Sequence, residues 1–179
     1  MSIVLQSSGG GSVTIVEPTT ASNFTQTLPA STGTVITTGS PQSGSVIQVV
    51  NATYGTTVTS TNSTNVDTGL TATITPLFAN SKILVLASQN GLAKINNTYM
   101  QLLLFRGATQ LATFGNAIAY TNSTADNRVG GASLSYLDSP ATTSAITYKT
   151  QFNSQTNASS VTVQDNYGLS TITLMEISA

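Results

Sequence analysis

Leu70-Thr71-Ala72-Thr73-Ile74-Thr75-Pro76 alternates apolar and hydroxyl side chains, and Ser160-Val161-Thr162-Val163-Gln164 repeats the pattern. A period of two sends successive side chains to opposite faces of a pleated strand, so each stretch reads as a half-buried strand. Lys82-Ile-Leu-Val-Leu-Ala87 and Met100-Gln-Leu-Leu-Leu-Phe105 are instead almost continuously apolar. These fit strands covered on both faces, by a second sheet or by a neighbouring subunit; their length and flanking turn residues argue against helix. Leu84, Leu86, Leu102, Leu104 and Phe105 are therefore candidates for the core or for a subunit interface.

Working outward from these runs, strand-like segments bounded by turn residues occur at 45–50, 56–61, 70–76, 82–89, 99–106, 110–114, 131–138, 145–152, 160–164 and 171–178. Many short strands at regular spacing are the signature of a sandwich or barrel, and an antiparallel jelly roll with eight core strands fits the number. The last run, Ser170-Thr-Ile-Thr-Leu-Met-Glu-Ile177, is expected centrally in a sheet. Residues 116–128 are long, polar and aperiodic, and read as an exposed loop. Within it Tyr120, Asn122, Asp126, Asn127 and Arg128 are the set nominated for contact with a partner or a glycan, against the plainer reading of a solvated loop.

The first 40 residues differ from the rest. Ser2-Ile-Val-Leu-Gln6 and Ser12-Val-Thr-Ile-Val16 flank a Ser/Gly joint, and are too short for a core of their own. Pro18 and Pro29 bracket Phe24-Thr-Gln-Thr-Leu28, and each removes a ladder donor. The expectation is an extended β arm over 1–40, with Ile3, Leu5, Val13, Ile15, Phe24 and Leu28 as attachment side chains. A Gly/Ser/Pro-rich stretch at 37–45 reads as a flexible linker, with a display domain over 41–179.

Composition narrows the function. Charged residues are 6% of the chain, where about a quarter is ordinary, and roughly a third of the chain is Ser or Thr. With 39% apolar residues and a net charge of −1, the chain does not match disorder, and the scarcity of Glu, Lys and Arg disfavours helix. Lys82, Lys94, Arg106, Arg128 and Lys149 are scattered, so no basic cluster is available for a phosphate backbone and nucleic acid is not an expected partner. The N-terminus lacks the pattern of a secretory signal, and no apolar run reaches the ~18 residues of a membrane span, so membrane insertion is not expected.

Without His or Cys, the familiar Ser-His-Asp and Cys-His nucleophile arrangements cannot be built. Paired carboxylates remain for glycoside hydrolysis, drawn from Glu17, Asp67, Asp126, Asp138, Asp165 and Glu176. Asp67 and Asp138 precede turn residues, where a carboxylate usually accepts from turn backbone, and Glu176 in the last strand reads as an exposed or paired side chain. No enzymatic activity, cofactor or metal is expected. Six Asn-x-Ser/Thr sequons, starting at Asn23, Asn51, Asn62, Asn96, Asn122 and Asn157, are what chance produces in such a composition.

Residues 11–34, from Gly11-Ser-Val-Thr-Ile-Val-Glu-Pro18 to Leu28-Pro-Ala-Ser-Thr-Gly-Thr34, resemble a segment recurrent in phage tail-fibre and head-decoration proteins. Ser133-Leu-Ser-Tyr-Leu-Asp-Ser-Pro140 and Ser170–Ile177 resemble C-terminal domains of phage structural proteins, and Ser81–Leu86 and Leu104–Gly107 extend the likeness. The resemblance implies a trimeric jelly roll of the tumour-necrosis-factor type on the virion surface. It further implies a partner in the major capsid protein or another virion protein, reached through the arm, and allows a host surface receptor. A long adsorption fibre normally begins with a sizeable tail-attachment domain, whereas only about 40 residues precede the globular part here. A small capsid decoration (cement or head-fibre) subunit therefore fits better than a tail fibre or receptor-binding module.

Overall fold

The computed structural model describes residues 2–16, 19, 25, 30, 32–33, 37, 39–156 and 158–179. Contacts divide the chain into two compact units, Met1–Val35 and Ile36–Ala179. Among the described residues every regular element is a strand.

In the smaller unit β1 (Ser2–Gln6) and β2 (Ser12–Val16) form an antiparallel hairpin. Its turn is closed by the Ser7 N–H donating to the Gly11 carbonyl at 2.7 Å and the Gly10 N–H donating to the Ser7 carbonyl at 3.1 Å. The register sets Ile3 opposite Ile15 and Leu5 opposite Val13, which places these four on one face. All four are exposed, by 56–63%. Phe24 and Leu28, the other two residues expected to attach the arm, lie outside the described residues.

The larger unit contains β3 (Val46–Tyr54), β4 (Val58–Ser60), β5 (Val66–Ile74), β6 (Lys82–Lys94), β7 (Met100–Arg106), β8 (Thr109–Ile118), β9 (Asn127–Asp138), β10 (Ile146–Ser154), β11 (Val161–Val163) and β12 (Ser170–Ile177). One sheet has the order β5-β10-β7-β8. In the other, the 13-residue β6 is the shared spine: β9 pairs along one edge, while the opposite edge pairs first with β12, which in turn pairs with β3, and then with β11, which pairs with β4. Without β4 and β11, the orders β3-β12-β6-β9 and β5-β10-β7-β8 are those of a double-sheet jelly roll, with successive strands alternating between sheets except at the β7–β8 hairpin.

The alternation of residues 70–74 appears as strict burial of Leu70, Ala72 and Ile74 with Thr71 and Thr73 exposed. These pack with Leu104, Tyr148, Ile83, Val85, Ile172 and Leu174 from both sheets into one apolar cluster. A second cluster gathers Leu92, Met100, Leu102, Phe152, Val161 and Val163. Side chains of a hydrogen-bonded polar chain are also buried within the unit. The Thr68 and Thr150 hydroxyls share a 2.6 Å hydrogen bond, Thr150 donates to Gln89 Oε1 at 2.9 Å, and Gln89 Nε2 donates to Ser170 Oγ at 3.0 Å. All four are fully buried, so each depends on its neighbour for satisfaction.

Several expectations are corrected. The loop expected over 116–128 shrinks to residues between β8 and β9, because the β7–β8 ladder carries register shifts and left-handed Ala117 and Ala119, a bulged geometry with no apolar alternation to reveal it. The linker expected over 37–45 is tied down at its end: the Gly44 N–H donates to the Ser178 carbonyl, and the Ser178 N–H to the Ser45 carbonyl. The two continuously apolar runs also differ. In β7 both faces are covered, with Leu102 and Leu104 in the core and Leu103 and Phe105 buried on the opposite face. In the Lys82–Ala87 run of β6 only the inward Ile83, Val85 and Ala87 are buried; Leu84 is half-buried and Leu86 is exposed.

Candidate functional site

Toward the end of β6 the strand bends at Gly91, whose φ is +61° and which is skipped in the pairing with β9. The 164–168 loop is held against this bend: the Gln164 N–H donates to the Asn90 carbonyl and the Asp165 N–H to the Gly91 carbonyl, both at 2.9 Å. A Cβ at Gly168 would fall 2.7 Å from the Gly91 N and Cα, so the two backbones approach as closely as glycine allows. Within this loop Gln164, Asn166 and Tyr167 all have positive φ, at +53°, +49° and +64°. For a bulky residue such as Tyr167 that conformation is disfavoured by about 1–2 kcal/mol. The Tyr167 side chain is 97% exposed, so burial of its ring does not offset the cost.

The loop, the bend and β9 residues Arg128 to Gly130 border an open, shallow cleft of about 520 Å³. Arg128 pairs with Asp126 at 3.0 Å and with Asp165. Asn90 Nδ2 donates to the Leu169 carbonyl at 2.7 Å, and the Asn90 N–H donates to Ser170 Oγ at 3.0 Å, which ties the cleft to the buried polar chain. Gln164 Nε2 donates to the same Ser170 Oγ at 3.2 Å.

Of the five loop residues nominated from sequence, Asp126 and Arg128 belong to this constellation, and Arg128 lines the cleft. Asn127 instead braces the loop, its Nδ2 donating to the Ala119 carbonyl at 2.9 Å. Tyr120 packs edge-on against Tyr99 with ring centroids 5.8 Å apart, and Asn122 is exposed. The segment is anchored from below by Lys94, fully buried, whose Nζ donates to the carbonyls of Asn96, Ser123 and Ala125 at 2.9 Å each. Sequence reasoning weighed Asp165 only as one of six carboxylates and passed over Asn166 and Tyr167. The available signal was an Asp-Asn pair followed by an aromatic and Gly168 between two strands, turn chemistry carrying a large side chain.

The carboxylates weighed for acid–base work have other partners. Asp138 does not accept from turn backbone; it takes Arg106 Nη1 through both oxygens, at 2.9 and 2.7 Å, and the Tyr148 hydroxyl at 2.6 Å. Burial, together with this carboxylate, pushes the Tyr148 hydroxyl well above its ordinary range. Asp67 likewise meets side chains rather than turn backbone, Lys149 and Gln151. Glu176 is buried rather than exposed, and accepts from Gln48 Nε2 at 2.6 Å and from the N–H groups of Leu77 and Phe78 at 2.9 and 3.2 Å. Burial acts to raise its pKa, but these donors outweigh it and hold the carboxyl below its ordinary value.

A third surface is the outer face of the β3-β12-β6-β9 sheet. The registers align Val49, Met175, Leu84 and Leu137 in one row across four strands, with Leu86 in the next. Val49 and Leu137 are more than half exposed.

The strand orders and the two-sheet core define this chain as a jelly-roll sandwich protein. Among solved structures it is similar to the VP2 subviral particle of infectious bursal disease virus, with a TM-score of 0.40 and 14% identity, over 94% of this chain and 44% of the VP2 chain. The chain thus spans less than half the length of that protein. No family model and no curated protein sequence matches it.

Proposed function

We propose that this chain is a non-enzymatic structural protein of a bacteriophage particle: a homotrimeric capsid decoration protein, of cement or head-fibre type, displayed on the virion surface. Its N-terminal arm attaches it to the major capsid protein or another virion protein. The observation that carries this reading is the β1–β2 hairpin, whose face of Ile3, Leu5, Val13 and Ile15 is wholly apolar and wholly exposed. A two-stranded hairpin is marginal by itself, and burying such side chains is worth up to about 1.5–3 kcal/mol each, so docking on a partner surface would stabilise it. The sequence likeness to phage virion proteins supplies the setting.

The test is incorporation. The double variant Leu5→Asp/Ile15→Asp is expected to leave the melting of the jelly-roll unit unchanged and to be missing from gradient-purified particles. Undiminished incorporation would overturn attachment through the hairpin. For the trimer, Leu84 and Leu86 on the open sheet face are the contact residues, and Leu84→Lys/Leu86→Lys is expected to convert a trimer to a monomer in sedimentation. A wild-type monomer at micromolar concentration would overturn that part.

A second reading, a tail-fibre or receptor-binding module, is favoured by the strained, open loop beside the cleft. Deleting Tyr120–Asp126 or replacing the 165–168 loop would then abolish host adsorption by particles that still carry the protein.

A further inference from the structure

We infer that the cleft between the β6 bend, Arg128 and the 164–168 loop binds a neutral saccharide. The inference deepens the receptor-binding reading by naming a ligand class, but it concerns the jelly-roll unit alone and is independent of how the hairpin attaches.

Three features carry it. First, the cleft volume of about 520 Å³ lies inside the range of small-ligand sites, and Gly130, where a Cβ would meet nothing within 4 Å, leaves backbone open on its wall. A flat ligand can therefore approach closely.

Second, the polar groups around it are planar forks: the amides of Asn90 and Asn166, the carboxylate of Asp165 and the guanidinium of Arg128. Such groups donate to or accept from adjacent hydroxyls in pairs, which is how vicinal sugar hydroxyls are recognised. Arg128 is already paired with Asp126 and Asp165, leaving this triad with a net charge of −1. An anionic ligand is repelled there, while hydroxyl donors are accepted.

Third, Tyr167 stands between the lining residues Asn166 and Gly168 with its ring almost entirely in solvent. Tyr167 does not itself line the cleft, but its exposed ring sits on the loop that borders it and can supply a stacking surface for the C–H face of a pyranose bound there. Nothing in packing requires a tyrosine at this position: glycine would adopt its φ of +64° without strain.

That contrast defines the experiment. Saturation-transfer and chemical-shift NMR on the full chain would use lactose, maltose and mannobiose as neutral probes and sialyllactose as the anionic control. All would be tested at about 10 mM, where a millimolar site is well occupied. At least one neutral disaccharide is expected to shift the amides of residues 90–91, 128–130 and 165–168, and sialyllactose is expected to leave them unmoved. Tyr167→Gly is expected to weaken binding by about tenfold or more, without lowering the melting temperature, because it relieves the backbone strain. Absence of shifts with all three neutral sugars overturns the inference, as does equal or tighter binding of sialyllactose, or undiminished binding by Tyr167→Gly. Adsorption of particles is a separate readout. Sugar binding with normal adsorption by Tyr167→Gly particles would sink the receptor reading and leave the saccharide site standing.

Discussion

Replacing Gln89 by methionine tests whether the buried polar chain holds the sandwich together. Methionine has nearly the same length and flexibility, so little cavity is created and the change is chiefly the loss of two hydrogen bonds. Gln89 accepts from Thr150 at 2.9 Å and donates to Ser170 at 3.0 Å, with all three side chains fully buried. Each neutral bond is worth about 1 kcal/mol net, and a buried group left underpaired adds about 1 kcal/mol or more. Thr150 retains Thr68, and Ser170 retains the Asn90 N–H, so the penalty stays near the low end for both. The expected destabilisation is about 2–3 kcal/mol, a fall in melting temperature of about 5–10 °C for a unit of this size. Calorimetry and urea titration of the full chain would measure it. Hydrogen exchange adds a local readout, since the Gln164 and Asp165 amides that hold the cleft loop should lose protection first. A Gln89→Met protein as stable as the parent, or more stable, would refute the argument. A double-mutant cycle with Thr150→Val should show coupling of at least about 0.5 kcal/mol.

Glu176 gives a pH prediction. Its folded pKa lies below the ordinary 4.5, so its stabilising effect is complete above that value and is lost as pH falls through the folded pKa. Glu176→Gln is therefore expected to melt lower than the parent at neutral pH, with the gap closing below about pH 4.5; a constant gap across that range would contradict this. Lys94→Met removes the ammonium that gathers the carbonyls of Asn96, Ser123 and Ala125. Amides of residues 119–126 should then exchange markedly faster while those of β12 are unchanged, and unaltered protection in 119–126 would show that Lys94 does not anchor the segment.

The strand positions were legible because they depend on local chemistry. Leu70, Ala72 and Ile74 alternate with threonines and are buried in that alternation, and the ten strand-like runs of the larger unit correspond in order to β3–β12. The apolar side of the hairpin was legible for the same reason: Ile3 and Leu5, and Val13 and Ile15, are spaced two apart. The sequence thereby determined an all-β chain with strands enough for a jelly roll, and which side of each alternating strand turns inward.

Only the tertiary structure decided which strand faces are covered and which distant residues meet. Leu84 and Leu104 stand in equally apolar runs, yet one lies on an open sheet face and the other in the core, because that depends on what packs above each sheet. Lys94 looked like any surface lysine until a segment about 30 residues away brought two of its three carbonyl partners. Arg128 and Asp165 are 37 residues apart and are joined because β9 and the 164–168 loop both meet the bend in β6. Periodicity records a residue's relation to its own strand; a site built from loops on different strands is written in the strand order instead.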